Sequence, residues 1–388
     1  MKISNVEAYW LRCPIPEKKQ HRSDYGLLTN FDMTLVVITT DNGLQGFGEA
    51  KAAVGSSGVC ASIVACIENE LKPILIGQDA GQISKLWEQM YNGTRDHYAL
   101  KRGRTFPILG NRGLTISALS GIDMALWDLK GKALGVPVVD LLGGAMRDKM
   151  EAYASGGWAD ADSIGEQLLG YTSKGFKAIK MRVGVMDDTV DYSIERVKAA
   201  RKALGPNIKI MTDAHGTMNV PEAKRFCKGV EESNLYWFEE PISPDNKKGC
   251  AEVRASTYVP IAAGESEYTR FDMRELVDLR AVDVLQPDAA IIGGITETVR
   301  VANLAATYQI ELAPHCWGSA FSFMAGVNVA FASPSACIIE FSSGGNPMMF
   351  DLVKEQITAV DGFIERPMTP GLGMSVDWDF VKEYKQGN

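Results

Sequence analysis

Asp213, Glu239 and Glu265 are equally spaced along the chain, and each follows a short apolar or aromatic run. Those runs are Ile208-Lys209-Ile210-Met211-Thr212, Leu235-Tyr236-Trp237-Phe238 and Val259-Pro260-Ile261-Ala262-Ala263-Gly264. A repeat of about 25 residues accommodates one strand, one helix and two short loops. Carboxylates at the ends of successive parallel strands of a barrel converge on its C-terminal mouth. Three hard oxygen ligands gathered there suit Mg²⁺, which keeps further positions open for a substrate.

Two of the 4 histidines, His215 and His315, fall at predicted strand ends of the same series. Asp288 closes the run Val282-Asp283-Val284-Leu285-Gln286-Pro287, one strand before His315. Neighbouring strand ends lie about 5 Å apart, so Asp288 is placed to orient His315 and hold one tautomer. That makes the imidazole a competent base or acid near neutrality. Glu340 closes Cys337-Ile338-Ile339, one strand further on, where it can hydrogen-bond an oxygen of a bound carboxylate. Lys180 and Arg182 are two residues apart in a predicted strand, so both point into the same mouth. Two cations in a barrel interior are costly unless anions meet them.

The elements that must position these groups are legible in the rhythm of the chain. Leu35 to Thr40 is rich in β-branched residues, Asp41-Asn42-Gly43 supplies a turn, and Leu44 to Gly48 returns, which predicts an antiparallel hairpin. Residues 59–75 and 82–93 read as helices. Residues 114–130 form a stronger one, with Leu114, Ala118, Ile122, Ala125 and Leu129 on one buried face. From about residue 151 the pattern alternates strand and helix, with strand ends at Gly156, Lys180–Arg182, Asp213, Glu239, Glu265, Asp288, His315 and Glu340. Eight such ends predict an α/β fold of the (β/α)₈ type. The domain boundary falls in the 125–150 region, and the Gly/Pro-rich tail past Glu340 is expected to fold back over the N-terminal domain.

Bulk properties narrow the function. The chain has 388 residues, 46% of them hydrophobic and 23% charged, enough for a sizeable core and against disorder. A net charge of -8 disfavours nucleic acid or an anionic membrane as partner. The 7 cysteines are scattered, odd in number and free of CxxC pairs, which argues against a disulfide framework. With no long apolar run at the N-terminus and no membrane-length apolar stretch, the expected location is the cytoplasm. Neither a GxxxxGK[ST] loop nor a GxGxxG turn after a strand is present, so a nucleotide-dependent enzyme is disfavoured.

Taken together, these residues resemble the mandelate racemase subgroup of the enolase superfamily (the mandelate racemase/muconate lactonizing enzyme family) over nearly the whole chain. The resemblance is carried by Gly46-Phe47-Gly48-Glu49, by the run from Ala118 to Lys132, by Trp237-Phe238-Glu239-Glu240-Pro241 and Gly264-Glu265, and by Asp213, Asp288, His315 and Glu340. It implies a (β/α)7β TIM-like barrel with an α+β capping domain: residues 1–130 as cap, 131–345 as catalytic barrel, and 346–388 returning to the cap. It also implies Mg²⁺ on Asp213, Glu239 and Glu265, with Lys180, Arg182, His215, Asp288, His315 and Glu340 as the catalytic set. In that family a base removes the proton α to a carboxylate to form an enediolate, and a β-hydroxyl can then leave to give a 2-keto-3-deoxy acid.

Two departures from the family pattern bear on the chemistry. Where the family usually has Lys-x-Lys, with the second lysine as base, this chain has Lys180-Met181-Arg182. A guanidinium stays protonated and is a poor base. Where the family usually has Asn two residues past the first metal ligand, this chain has His215, which resembles some sugar-acid dehydratases. The implied enzyme is a Mg²⁺-dependent hydro-lyase for a mono- or dicarboxylic sugar acid, in a homo-oligomer. An aldarolactone cycloisomerase or acid-sugar racemase/epimerase is the alternative, and an inert sugar-acid binding protein a weaker one. Capping-loop donors, among them His21, Arg22, Tyr25, Arg95, His97, Tyr98, Lys101, Arg102 and Arg104, suit a polyhydroxy acid. His21, Arg22, Tyr25 and Trp317 are the candidate substrate-binding residues.

Overall fold

A computed structural model describes residues 1–24, 26–52, 58–93, 102, 103 and 110–387, with Lys19 and residues 21–23 placed through the backbone alone. The first strands follow the hydrophobic pattern. β1 (Ile3–Pro14) pairs antiparallel with β4 (Asn30–Thr40), which pairs with β5 (Gln45–Ala50). Between β1 and β4 lies a small hairpin of β2 (His21–Ser23) and β3 (Gly26–Leu28). Helix Leu114–Leu134 packs across the three-stranded sheet and stops at Gly135, whose φ of 71° provides a left-handed cap. Gly48 permits the close approach, because a Cβ there would run into the carbonyl oxygen of Gly121.

The sequence pattern predicts one buried face for that helix; Leu114, expected on it, is 39% exposed at the first turn, while burial of the following turns is much wider. From Ile116 to Gly131 only Trp127 and Lys130 escape full burial. One side meets the sheet and another meets helix Gly294–Tyr308 of the barrel. There Asp123 accepts from the backbone N–H of Thr296 at 2.9 Å and from its hydroxyl at 2.6 Å. A helix enclosed by two layers needs no polar stripe.

Eight parallel strands follow: β6 (Lys149–Ser155), β7 (Ala178–Arg182), β8 (Lys209–Asp213), β9 (Trp237–Glu239), β10 (Ile261–Ala263), β11 (Val284–Leu285), β12 (Glu311–Leu312) and β13 (Ile339–Ser342). Their order in the sheet is β12-β11-β10-β9-β8-β7-β6-β13, and a parallel bridge between Leu312 and Ala336 closes the ring. A helix connects each strand to the next, so the chain is a (β/α)7β TIM-like barrel with an α+β capping domain. Tyr153 and Trp237 meet edge to face, with ring centroids 5.4 Å apart, and belong to an apolar plug that fills the barrel interior.

Beyond β13 the chain touches both parts of the molecule. β14 (Phe363–Glu365) pairs antiparallel with β6, and helix Trp378–Tyr384 lies against β1. Buried Asp128 ties three segments together. It accepts from the backbone N–H of Phe47 at 2.9 Å and of Leu372 at 2.8 Å, and pairs with Lys132 at 2.6 Å. All seven cysteines are free. Among the described residues no helix is long and apolar enough to cross a membrane.

Candidate active site

The strand register brings the acidic series into one place. Arg182 on β7 stands opposite Asp213 on β8, and Asp213 stands opposite Glu239 on β9. Glu265 lies two residues past β10, after Gly264 at φ 137°, where a side chain would strike Met273 and the backbone of Gln286. Asp213, Glu239 and Glu265 are all buried, at 3%, 0% and 3% exposure. Carboxylates this dry demand positive partners.

Each carboxylate has one. The Lys180 ammonium lies 2.5 Å from Glu239, 3.0 Å from Glu340 and 3.5 Å from Asp213. Arg182 is 3.0 Å from the other oxygen of Asp213. Glu239 also accepts from the indole N–H of Trp237 at 2.9 Å and from the Gln286 amide at 2.8 Å. Burial works against the charge of Lys180, but Glu239 and Glu340 outweigh it and hold the pKa well above the ordinary lysine value. Arg182 is raised in the same way by Asp213 and Asp24, so both β7 cations stay charged.

Glu265 sits between two imidazoles. His215 Nε2 is 3.3 Å from one of its oxygens and His315 Nε2 is 3.4 Å from the other. Each ring is backed by a carboxylate on its Nδ1 side: His315 by Asp288 at 2.7 Å, and His215 by Asp24 from the turn between β2 and β3. His215 has the positive φ of 49°, and its backbone N–H donates to Asp213 at 2.9 Å. Burial disfavours both imidazolium ions, yet the surrounding acids prevail. Asp24 and Glu265 lift His215 to about 11, and Glu265 and Glu340 lift His315 to about 9. Burial pushes Glu239 up to about 7, assisted by Asp213 and Glu265, despite Lys180.

Glu340 accepts from the backbone N–H of Cys316 at 2.8 Å besides pairing with Lys180. Trp317 meets Trp158 edge to face, with centroids 6.1 Å apart, on one wall of a cleft of about 620 Å³ including its open mouth. Arg182, His215, His315 and Asp24 line the same cleft, and Leu28 of β3 reaches it from the cap. Of the other loop candidates, His21 and Arg22 lie on β2 and are placed by backbone pairing alone, and Arg102 is exposed. Tyr25, Arg95, His97, Tyr98, Lys101 and Arg104 fall outside the described residues.

The site also contains groups the sequence reading passed over. Asp24 and Lys51 come from the cap, and Lys51 pairs with Asp288 at 2.5 Å. Glu240, beside Glu239, is buried at 2% exposure, and its Oε1 has no hydrogen-bond partner among the described residues. Its signal was present in the doubled acid of Trp237-Phe238-Glu239-Glu240-Pro241. His215, Glu240 and Glu265 form the one group among the described residues whose ligand atoms all lie within 4.8 Å of one another. Asp213 and Glu239 stand outside that group, drawn onto Arg182 and Lys180.

The donor set fits a divalent cation. The ligand candidates Asp213, Glu239 and Glu265 are hard oxygen donors at adjacent strand ends. Together with Asp24, Glu240, Asp288 and Glu340 they outnumber Lys51, Lys180 and Arg182. The excess of acids shows in the upward shifts of both imidazoles, Glu239 and Glu240, and a bound cation would supply the missing positive charge.

A parallel barrel under an α+β cap, with acids, imidazoles and an ammonium gathered where its strands end, defines an enzyme of the enolase superfamily. The family model described as Enolase C-terminal domain-like matches residues 163–380, and that of the Mandelate racemase / muconate lactonizing enzyme N-terminal domain matches residues 15–143. The chain belongs to the mandelate racemase/muconate lactonizing enzyme family. It is 35% identical to D-galactonate dehydratase of Ralstonia pickettii, over 89% of each chain. It is 34% identical to D-galactarolactone cycloisomerase of Agrobacterium fabrum, over 90% of each. A racemase from Streptomyces coelicolor A3(2), solved with bound magnesium, superposes with a TM-score of 0.86 at 28% identity, over 99% of this chain and 100% of that one. The family membership and that bound magnesium point to a divalent cation as cofactor.

Proposed function

We propose that this chain is a Mg²⁺-dependent dehydratase that converts a sugar acid into its 2-keto-3-deoxy product. One observation carries the reading: two imidazoles, each backed by its own carboxylate, face the two oxygens of Glu265 in one cleft. Dehydration needs two proton transfers, one from the α-carbon and one to the departing β-hydroxyl, and two imidazoles at one centre can share them.

Asp213, Glu239 and Glu265 would hold the cation. Once bound, it supplies charge that acidifies the α-carbon of a substrate carboxylate. Lys180 and Arg182 keep their charge beside that position and stabilise the enediolate electrostatically. One of His215 and His315 takes the α-proton and the other protonates the leaving hydroxyl. Glu340, anchored by Cys316 and Lys180, faces the substrate carboxylate. Trp158, Trp317 and Leu28 exclude water on the outer side of the cleft. Residues 1–130, 131–345 and 346–388 are the proposed cap, barrel and returning segment, and the site of action is the cytoplasm.

Incubating the Mg²⁺-loaded enzyme with a panel of mono- and dicarboxylic sugar acids should give a 2-keto acid from at least one of them. No keto acid from any member, together with turnover of aldarolactones, would replace the proposal with cycloisomerisation. That second reading has support in the cycloisomerase relative at 34% identity and uses the same α-proton abstraction.

A further inference from the structure

Glu49 on β5 and Lys51, one residue past its end, reach from the cap to residues of the barrel. Glu49 accepts from the backbone N–H of Ser319 at 2.8 Å and from its hydroxyl at 2.6 Å, at the start of helix Ala320–Ala332. Lys51 is buried as well, at 1% exposure. Its ammonium donates to Asp288 Oδ2 at 2.5 Å and to the carbonyl oxygen of Trp317 at 2.8 Å. Asp288 Oδ2 is also the atom that His315 Nδ1 meets at 2.7 Å. The remaining oxygen, Oδ1, accepts from the backbone N–H of Ala290 at 2.8 Å.

We infer that Lys51 is a positioning residue for the proton-transferring imidazole of His315, acting through the Asp288 oxygen that the two share. Three donors surround the Asp288 carboxylate, so its rotation is fixed and it is satisfied as an anion. The proton on His315 Nδ1 therefore stays on the ring, and Nε2 is left as the face that exchanges a proton with substrate. The tie to the Trp317 carbonyl fixes the start of the cleft wall by the same ammonium. Stability alone does not call for this lysine, because a buried ion pair is often matched or bettered by apolar residues of similar volume. Burial works against its charge, but Asp288 and Glu49 outweigh it and keep the ammonium protonated. Without that charge Asp288 would add an uncompensated anion to a mouth that must accommodate a dianionic intermediate.

The inference rests on the proton-transfer role proposed for His315, and its test includes a reading that needs no substrate. In the substrate-free, Mg²⁺-loaded enzyme, the Nδ1–H proton of His315 should give a low-field NMR resonance, identified by its loss in His315→Asn. Lys51→Met should move or broaden that resonance even if no sugar acid is turned over. With an active substrate, Lys51→Met should lower kcat about 10- to 100-fold, the range typical of groups that orient a ligating or reacting side chain. KM should stay within about twofold. In an Asp288→Asn background the same substitution should change kcat by less than about twofold, because its target is already gone. If Lys51→Met alone does not fold, the double variant, which removes both members of the buried pair, is compared with Asp288→Asn in the same way. An unmoved resonance with kcat within about twofold of the parent would overturn the inference, as would losses that multiply in the double variant.

Discussion

Asp24→Asn tests whether the cap completes the second imidazole. Asp24 lies in the turn between β2 and β3, and its carboxylate meets His215 Nδ1 with both side chains only 6% exposed. Burial works to raise the Asp24 carboxyl, yet His215 and Arg182 prevail and hold it below the ordinary value. At that exposure the contact is not discounted by solvent, and a hydrogen bond involving a charged group contributes about 1.5–3 kcal/mol. If the interaction is needed in the transition state, its loss lowers kcat/KM about 10- to 150-fold. The asparagine keeps the shape and removes the charge, so the melting temperature should fall by only a few degrees and the fold should persist. The assay is initial-rate 2-keto acid formation from an active sugar acid at saturating Mg²⁺, in parallel with thermal unfolding. His215→Asn alone and combined with Asp24→Asn completes the cycle, and the double variant should be little worse than His215→Asn. A kcat/KM within about twofold of the parent would refute the pairing, as would losses that add in full.

Other substitutions probe separate parts of the reasoning. Glu239→Gln should weaken Mg²⁺ binding at least about tenfold in calorimetric titration with the metal alone; unchanged affinity would remove Glu239 from the ligand set. His315→Asn should lower kcat about 10²- to 10⁴-fold while Mg²⁺ binding persists, and retained turnover would dismiss the ring from catalysis. Asp123, buried against Thr296, is pushed up to about 7 by burial, which outweighs the hydrogen bonds from Thr296. An unfolded aspartate titrates near about 3.9, so between the two values the native state binds the extra proton. Its contribution to stability is complete below the unfolded value and is lost as pH rises through about 7. Urea unfolding at acid and alkaline pH should show a steeper loss for the parent than for Asp123→Asn, and equal slopes would reject the assignment. Gly48→Ala drives a methyl group into the carbonyl of Gly121 and should cost about 1–3 kcal/mol in urea unfolding; an unchanged midpoint would show that the helix can shift.

The barrel was legible because its determinants are local and periodic. Asp213 and Glu239 each end a strand whose apolar run is visible in the chain, and register places them side by side. The pairing of Asp288 with His315 was legible for the same reason, since adjacent strand ends are neighbours in space. Asp24 and Lys51 carried no such signal. They lie 191 and 237 residues from their partners, so their contacts depend on how the cap docks, which no periodicity encodes. A lysine after a strand also reads as a solvated group. Glu240 escaped for a different reason. Alternation along β9 directs it away from Glu239, but its φ of 37° breaks the extended geometry and returns it to the mouth beside His215 and Glu265. The wide burial of residues 116–131 was hidden because a composition suited to two covering layers also contains the spacing of a single buried face.

The two imidazoles differ in what holds them, and that difference bears on how one scaffold supports more than one outcome. His315 depends on Asp288, which is fixed by Lys51 and by the backbone of Ala290. His215 depends on Asp24, carried by a three-residue-per-strand hairpin that pairs only with itself among the described strands. Proton transfer at the α-carbon is common to dehydration and cycloisomerisation; the reactions separate at the group expelled from the neighbouring carbon. A rigid His315 suits the shared step, where the reacting atom is always next to the carboxylate. A His215 whose partner arrives on a cap hairpin suits the step that varies with substrate, because loops vary while barrel strands hold their positions. Changes in the hairpin should therefore alter which group departs before they alter α-proton exchange. Solvent-deuterium incorporation measured beside product formation separates the two: a hairpin variant that loses elimination should still exchange the α-proton, and loss of both together would tie the hairpin to the shared step.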